Sequence, residues 1–341
     1  MTSHPIQLWP ESSISYGRGL AATSPGNSKT HALTEKDQGV FHYVLGPYVN
    51  PVLTVKPGDT ILIETQDCYG GVIKTEEDRP SEKVSYPRVN PQSGPIAVTG
   101  AEKGDCLAIH IISVNTRGEQ PAGTTCLVPE FGGLVGTDIT ALLNDPLPDL
   151  VKKLHISEEG VHWNDDLVLP YEPFIGTIGV SPEIEAISSL QPDYHGGNMD
   201  MPDVAPGAIL YLPVHTAGGL LYVGDCHARQ GDGEISGVAV EQAATVKLTI
   251  DLIKNWSFAW PRLETENFIM TIGSARPLED AVRIAYRELV KWMTFDFGFE
   301  ELDAYMLLGQ IGHVRLGNMV DPKYTVGAWV EKKYLIPKKP R

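Results

Sequence analysis

GVAVEQAATVKLTIDLI, residues 237–253, is the longest alternating stretch in the chain. Val238, Val240, Ala244, Val246, Leu248, Ile250 and Leu252 fall on one face, and only Gln242 breaks the series. A period of two over that length predicts an extended strand with one face in a core. The same grammar recurs on the N-terminal side. LTVKPGDTILIET at 53–65 sets a Pro57-Gly58-Asp59 turn before a strand in which Ile61 and Ile63 share a face. GAEKGDCLAIHIISV at 100–114 repeats the form with Leu107, Ile109 and Ile111 alternating. APGAILYLPVHTAGGLLYVGD at 205–225 does so again, with Gly218-Gly219 as the tip of a hairpin between two strands. Three turn-then-strand units suggest an internally pseudo-duplicated β architecture, and 34 glycines and 26 prolines suit many short strands joined by turns.

Elsewhere the pattern changes. TDITALLNDPLPDLV and the stretch around 140–170 read as a short helix and loops, and the proline-studded 76–95 as turns and extended chain. Near the end, PLEDAVRIAYRELVKWM places Leu278, Ala281, Val282, Ala285, Leu289, Trp292 and Met293 on one helical stripe, a core face rather than a cofactor box. Pro277 suits the first turn, and Glu279 and Asp280 suit its dipole. A second helix is expected from Glu300 to Leu308, stopped by Gly309. The expected fold is mainly β (β-rich α+β), a sandwich or barrel-like body over about 40–275 with a helical and extended part over about 276–341. Residues 1–341 then form a single compact domain with no linker.

Net charge and cysteine content bound the function. A formal net charge of −16 makes nucleic acid or an anionic membrane an unsuitable main partner. Cys68, Cys106, Cys126 and Cys226 show no CxxC spacing, which suits free thiols in a reducing cytoplasm, with two long-range disulfides as the alternative. The N-terminal MTSHPIQLWPESS has neither the basic nor the apolar part of a secretory signal. No apolar run reaches the ~20 residues of a membrane-spanning helix. The expectation is a soluble cytoplasmic protein.

Chemistry concentrates in three stretches. GDCHARQGDGE at 224–234 follows the apolar LLYV, so Asp225 and His227 stand two apart on one strand and point the same way. A carboxylate and an imidazole from one segment make a partial divalent-metal site, zinc above all. Gly231 and Gly233 let Asp232 and Glu234 fold back over the same spot, and Gln230 can orient a substrate. The alternative is a solvent-facing turn in which aspartates cap amides; four acid or imidazole groups in so short a run favour the site. HGGNMD at 195–200 brackets two glycines and an amide between His195 and Asp200, with Asn198 able to donate to a carbonyl; the alternative is an ordinary Gly-Asn turn with a loop histidine. ETQDCYGG at 64–71 offers Glu64 and Asp67 at a strand exit, a weak signal by itself. No GxSxG, Walker, HExxH or GxGxxG motif is present. A nucleophilic role for Cys68 or Cys226 is opposed by the aspartate before each, which raises a thiol pKa; small packing residues fit better.

Taken in order, KPGDTILIETQDCYGG, NPQSGPIAVTGAEKGDCLAIHI, HGGNMD and GDCHARQGDGEISGVAVE resemble the acetamidase/formamidase family over about residues 40–250, and the rest more loosely. That resemblance implies hydrolysis of short aliphatic amides to acid and ammonia, a β-rich fold with internal pseudo-symmetry, a divalent metal and a homo-oligomer. It carries over Glu64, Asp67, Asp200, Asp225, Asp232 and Glu234, with His195 and His227. Cys68 and Cys226 depart from it, since a small residue such as alanine or glycine is expected at both positions. GHVRLGNMVDPKY, near the end, matches less well and is assigned to substrate choice or subunit contacts.

The expected roles follow. Asp67, Asp200, Asp225 and His227 bind the metal, zinc first, with calcium as a structural second ion on an oxygen-rich set. Glu234 acts as general base and acid, Asn198 or Gln230 holds the oxyanion, and Glu64, His195 and Asp232 are additional site residues. Two other readings stay open: a non-catalytic, metal-stabilised binding protein, and a metal hydrolase of a cyclic amide or carbamoyl compound.

Overall fold

The computed structural model describes residues 28–118, 121–135 and 147–336. The alternating stretch 237–253 is two strands, not one. Val240–Gln242 belongs to a ten-stranded sheet and Ala244–Ile253 to a nine-stranded sheet, so the chain passes between sheets at Ala243. Gln242 breaks the alternation because it lies at this seam, 1% exposed, where both sides of the strand are covered.

Ala244–Ile253 is central in the nine-stranded sheet, paired antiparallel to Asp59–Thr65 on one side and Cys106–Thr116 on the other. Val246, Leu248 and Ile250 are fully buried against Ile61, Ile63, Leu107 and Ile109, and Ile175, Ile178 and Val223 of the other sheet close the same core. Burying each such side chain contributes about 1.5–3 kcal/mol. Thr245, Lys247, Thr249 and Asp251 take the half-buried opposite face. The body is thus a β-sandwich.

The helix Leu278–Phe297 covers part of the outer face of the nine-stranded sheet. Ala281, Ala285, Leu289, Trp292 and Met293, all on the expected stripe, pack on Tyr211, Val326, Ala328 and Val330. Pro277 is the residue before the helix rather than in its first turn. The second helix, Glu301–Ile311, runs through Gly309 to Gly312; Gly309 has open space around it, and the loss relative to alanine, about 1 kcal/mol, does not stop a helix packed through Ala304 and Leu308.

Two further expectations are corrected. Gly218-Gly219 does form a turn, with φ of 80° and 70°, but the strands it joins, Ile209–Pro213 and Leu221–Arg229, lie in different sheets. The turn sits on Ala97 and Leu107, which a Cβ at Gly218 and Gly219 would approach to 3.2 Å and 3.0 Å. From 150 to 169 the chain is an antiparallel meander, Leu150–Ser157, Gly160–Asn164 and Leu167–Leu169, not loops. Val151, Leu154, Ile156 and Val161 of it are buried in the core, with Trp163 and Leu169 packed against the last three, and charged residues on the open face hid the period. The helix read within 137–151 lies largely outside the described residues, as does the N-terminal MTSHPIQLWPESS. The four cysteines are buried thiols, none of them in a disulfide. Among the described residues no helix is long and apolar enough to cross a membrane.

Candidate active site

The site is built on Leu221–Arg229, which carries Asp225 and His227 through the middle of the ten-stranded sheet. On one side Val240–Gln242 sets Glu241 directly opposite His227. On the other, Phe174–Val180 brings Gly176, where a Cβ would stand 2.8 Å from Asp200 Oδ1 and 2.9 Å from Asp225 Oδ2. Only glycine leaves that floor open. The strand Gly196–Asn198 delivers Asp200, and the loop after Arg229 returns Glu234.

Four overlapping groups of buried donors result, each within 4.8 Å across its ligand atoms: Cys68, Asp225 and Glu241; Asp200, Asp225 and His227; His227, Glu234 and Glu241; Asp200, Glu234 and Asp321. Gln230 decides the state of the imidazole. Its amide NH2 donates to the carbonyls of Asp200 and Gly317, both at 2.9 Å, so its Oε1 must accept the Nδ1 proton of His227, also at 2.9 Å. Nε2 then points at Asp225 Oδ1, 3.4 Å away, and Glu241 Oε2, 3.3 Å away. Three electron-rich atoms facing one another in a buried space repel unless a cation or a proton lies between them.

Other atoms carry the same requirement. His227 Nε2, Asp200 Oδ1, Glu241 Oε2 and Asn318 Oδ1 are buried without a hydrogen-bond partner. Burial, with Glu234 and Asp321 nearby, holds Asp200 well above the usual carboxylate range. Burial does the same to Glu234, against the pull of His227. Glu241 is pushed up to about 8 and Asp321 to about 7, in each case chiefly by burial. For His227 burial lowers the pKa, but Glu241 and Asp225 outweigh it and raise it well above its ordinary value. Oxygen and imidazole donors of this kind fit zinc, and the all-carboxylate end formed by Asp200, Glu234 and Asp321 also fits a harder ion.

The backbone marks the same place. Seven described non-glycine residues have left-handed φ, and Asn90, Asp200, Asp225 and Glu234 are among them, at 58°, 45°, 54° and 49°. Such conformations cost about 1–3 kcal/mol each and persist where the surroundings over-determine them. Here the hydrogen-bond network does so. Asn90 Nδ2 donates to Asp225 Oδ2 at 2.9 Å and Asn198 Oδ1 at 3.0 Å, and Thr177 Oγ1 donates to the same two groups. Two asparagine–aspartate pairs cross between the halves of the site: Asn198 Nδ2 donates to Asp321 Oδ2 at 2.7 Å, and Asn318 Nδ2 to Asp200 Oδ2 at 3.2 Å.

The residues singled out in the sequence fall into two sets. Asp200, Asp225, His227, Glu234, Asn198 and Gln230 converge. The amide of Gln230 is fully committed to protein partners and orients His227, while that of Asn198 donates one N–H to Asp321 and accepts from Asn90 and Thr177. The rest stand apart from the donor groups. Asp67 Oδ1 accepts from the backbone amides of Tyr69 at 3.0 Å and Gly71 at 2.9 Å, so it shapes a turn beside the site. Glu64 accepts from Glu35 N and pairs with Arg117. Asp232 is exposed and pairs with Arg315 at 3.7 Å. His195 is fully buried, its ring edge-on to Tyr194, and burial pushes its pKa down to about 3.

Glu241, Asp321, Asn318 and Asn90 are the residues that sequence reasoning missed. Glu241 was hidden inside the alternating stretch as an outward residue. For the other pair a signal existed: GNMVDP at 317–322 nearly repeats GNMDMP at 197–202.

A family model described as the Acetamidase/Formamidase family matches residues 28–191 and 183–330. The crystal structure of an acetamidase from Yersinia enterocolitica is 56% identical, covers 93% of this chain and 96% of its own, and superposes with a TM-score of 0.90. An acetamidase structure from Bacillus halodurans is 33% identical with a TM-score of 0.81, covering 89% of this chain and 98% of that one. Among curated proteins, a formamidase of Methylophilus methylotrophus is 28% identical over 64% of this chain; the match spans 66% of that relative, just under two thirds.

Proposed function

The chain belongs to the acetamidase/formamidase family, and on that premise we propose that it is a metal-dependent hydrolase of short aliphatic amides, of the formamide and acetamide type, yielding the acid and ammonia. The observation that carries the reading is His227, whose Nδ1–H is held by Gln230 so that Nε2 faces two carboxylates. A divalent cation answers that arrangement, and Asp200, Asp225 and His227 are the residues that hold it, with Glu241 at reach. When bound, zinc supplies a water of pKa near 7 and a Lewis acid for the carbonyl oxygen.

The chain's own residues do the rest. Glu234 is the most exposed of the site acids, at 7% against 0–3% for Asp200, Asp225, Glu241 and Asp321. Among the described residues no donor hydrogen-bonds its carboxylate, so it is free to take the proton of the attacking water and pass it to the departing nitrogen. Burial raises its pKa, which makes it a stronger base than an exposed glutamate. Phe174, edge-on to His227 with ring centroids 4.9 Å apart, keeps bulk water off the imidazole. The near-complete burial of the donors favours a small substrate.

The test is metal content by mass spectrometry, with ammonia release from formamide and acetamide before and after chelation, on wild type and Glu234→Gln. Expected are bound zinc, release abolished by chelator, and a variant that keeps metal while losing turnover by about 10²–10⁴-fold. A fully active Glu234→Gln removes Glu234 from this role; chelator-insensitive release overturns the metal mechanism.

A further inference from the structure

A cavity of about 380 Å3 lies one side chain away from His227, and the chemistry above leaves it unused. Its outer rim is Glu172 and Arg315, which pair with Arg229 at 2.7 Å and with Asp203 at 3.0 Å. Pro202, Ala205 and Pro206 line its side, and Phe174 and Gln230 close the end toward the donors. Both closing residues touch His227. Gln230 does so at Nδ1, 2.9 Å away, and Phe174 edge-on, with ring centroids 4.9 Å apart.

The strand Phe174–Val180 and the residues leading into it explain the partition. Glu172, Phe174 and Gly176 alternate onto one face, and Phe174 stands directly opposite His227 in the ladder. Along that face the glutamate marks the rim, the phenylalanine the partition, and the glycine the open floor beneath Asp200 and Asp225. The ring is held in place. Glu172 N donates to Ala228 O and Ile175 N to Val204 O, both at 3.1 Å, so the backbone is fixed on either side, and Phe174 itself is 1% exposed.

The space is generous beside substrates as small as formamide. An apolar cavity of about 150 Å3 already takes a benzene ring, and the rigid rings of Pro202 and Pro206 resist collapse. We propose that Phe174 limits the acyl group of the substrate to the size of formyl and acetyl, by sealing the donors from a cavity that otherwise houses the chain of a longer amide. The inference rests on the amide-hydrolase reading above. Without the ring, cavity and site are continuous, and an aliphatic or aromatic acyl group fits while its amide stays at the donors. The reaction is unchanged; only the acyl groups that fit are different.

The test is ammonia release from formamide, acetamide, hexanamide and benzamide by the purified protein, as wild type, Phe174→Ala, Phe174→Leu and the double variant Phe174→Ala/Ala205→Phe. Each methylene housed in an apolar pocket is worth about 10–200-fold. The ratio of kcat/KM for hexanamide to that for acetamide should therefore rise at least about 100-fold in Phe174→Ala, chiefly through a lower KM for hexanamide, and less in Phe174→Leu. Ala205→Phe refills the cavity and should cancel most of that gain, which a site merely loosened by the lost ring would keep. Wild type that hydrolyses hexanamide as readily as acetamide overturns the proposal even if no variant folds. An unchanged ratio in whichever single variant is active overturns it too, as does a gain that survives in the double variant. Release from none of the four amides by wild type overturns the amide-hydrolase reading itself, and this inference with it.

Discussion

Loading the site with a dication should expel protons, and the number can be worked from the residues. With folded pKa values of about 8 and about 7, Glu241 is roughly nine-tenths protonated and Asp321 roughly half protonated at pH 7. Burial also holds Asp200 above the ordinary carboxylate range. A dication entering this space displaces the protons that Glu241 and Asp321 hold, about 1.4 at pH 7 and about 1.9 at pH 6. The sign follows: protons are bound before loading and lost on it, so affinity rises with pH. These two groups give a change of about 50-fold in affinity between pH 6 and pH 7. Calorimetric titration of stripped protein with Zn2+ in two buffers of different ionisation enthalpy measures the proton count directly. Equal heats in both buffers, with a dissociation constant flat from pH 6 to 7, would refute the charge-compensation argument.

Other outcomes are expected from single changes. Gln230→Leu frees the tautomer of His227 and should weaken metal binding by about 10–100-fold in a chelator competition while the protein stays folded. Gly176→Ala sets a methyl 2.8–2.9 Å from Asp200 and Asp225 oxygens, so loss of metal without loss of the far-ultraviolet dichroism is expected. His195 governs acid stability: its pKa is about 3 when folded against 6.5 when exposed, so the unfolded chain gains a proton below pH 6.5 that the folded chain refuses. That stabilisation is complete above pH 6.5 and falls by about 2 kcal/mol at pH 5. Urea denaturation at pH 7 and 5 should show a smaller drop for His195→Phe than for wild type; an equal drop removes His195 as the cause.

The fold was largely legible because alternation is a local signal. Ile61, Ile63, Leu107, Ile109 and Val246 each declared a buried face within a few residues of sequence. What alternation cannot declare is which sheet a strand joins. Ala243 and Gly218-Gly219 look like a strand interior and a hairpin tip in one dimension, and both are passages between sheets in three. The site divides in the same way. Asp225, His227 and Glu234 are near neighbours in sequence, and glycines around them advertised a special backbone. Glu241 was concealed because a strand covered on both faces has no outward side, so its place in the period carried no warning. Asn318 and Asp321 lie far along the chain, and only the likeness of their segment to GNMDMP linked them to Asp200. Asp67, Glu64 and Asp232 show the converse: carboxylates beside glycines at strand exits also serve backbone amides and surface arginines.

The crossed asparagine–aspartate pairs set an order of events during synthesis. Asp200 receives its side-chain donor from Asn318, and Asp321 receives its own from Asn198. A growing chain that has emerged only as far as the helix Leu278–Phe297 already holds Asp200, Asp225, His227, Glu234 and Glu241, but neither Asn318 nor Asp321. Contacts of such long sequence separation form late. A nascent chain can therefore gather most of the donors and still lack the partners that hold Asp200 in register. On the metal-dependent reading, an ion would be secured only after the strand His313–Asn318 docks at the sheet edge, so metal retention would read out the arrival of that strand.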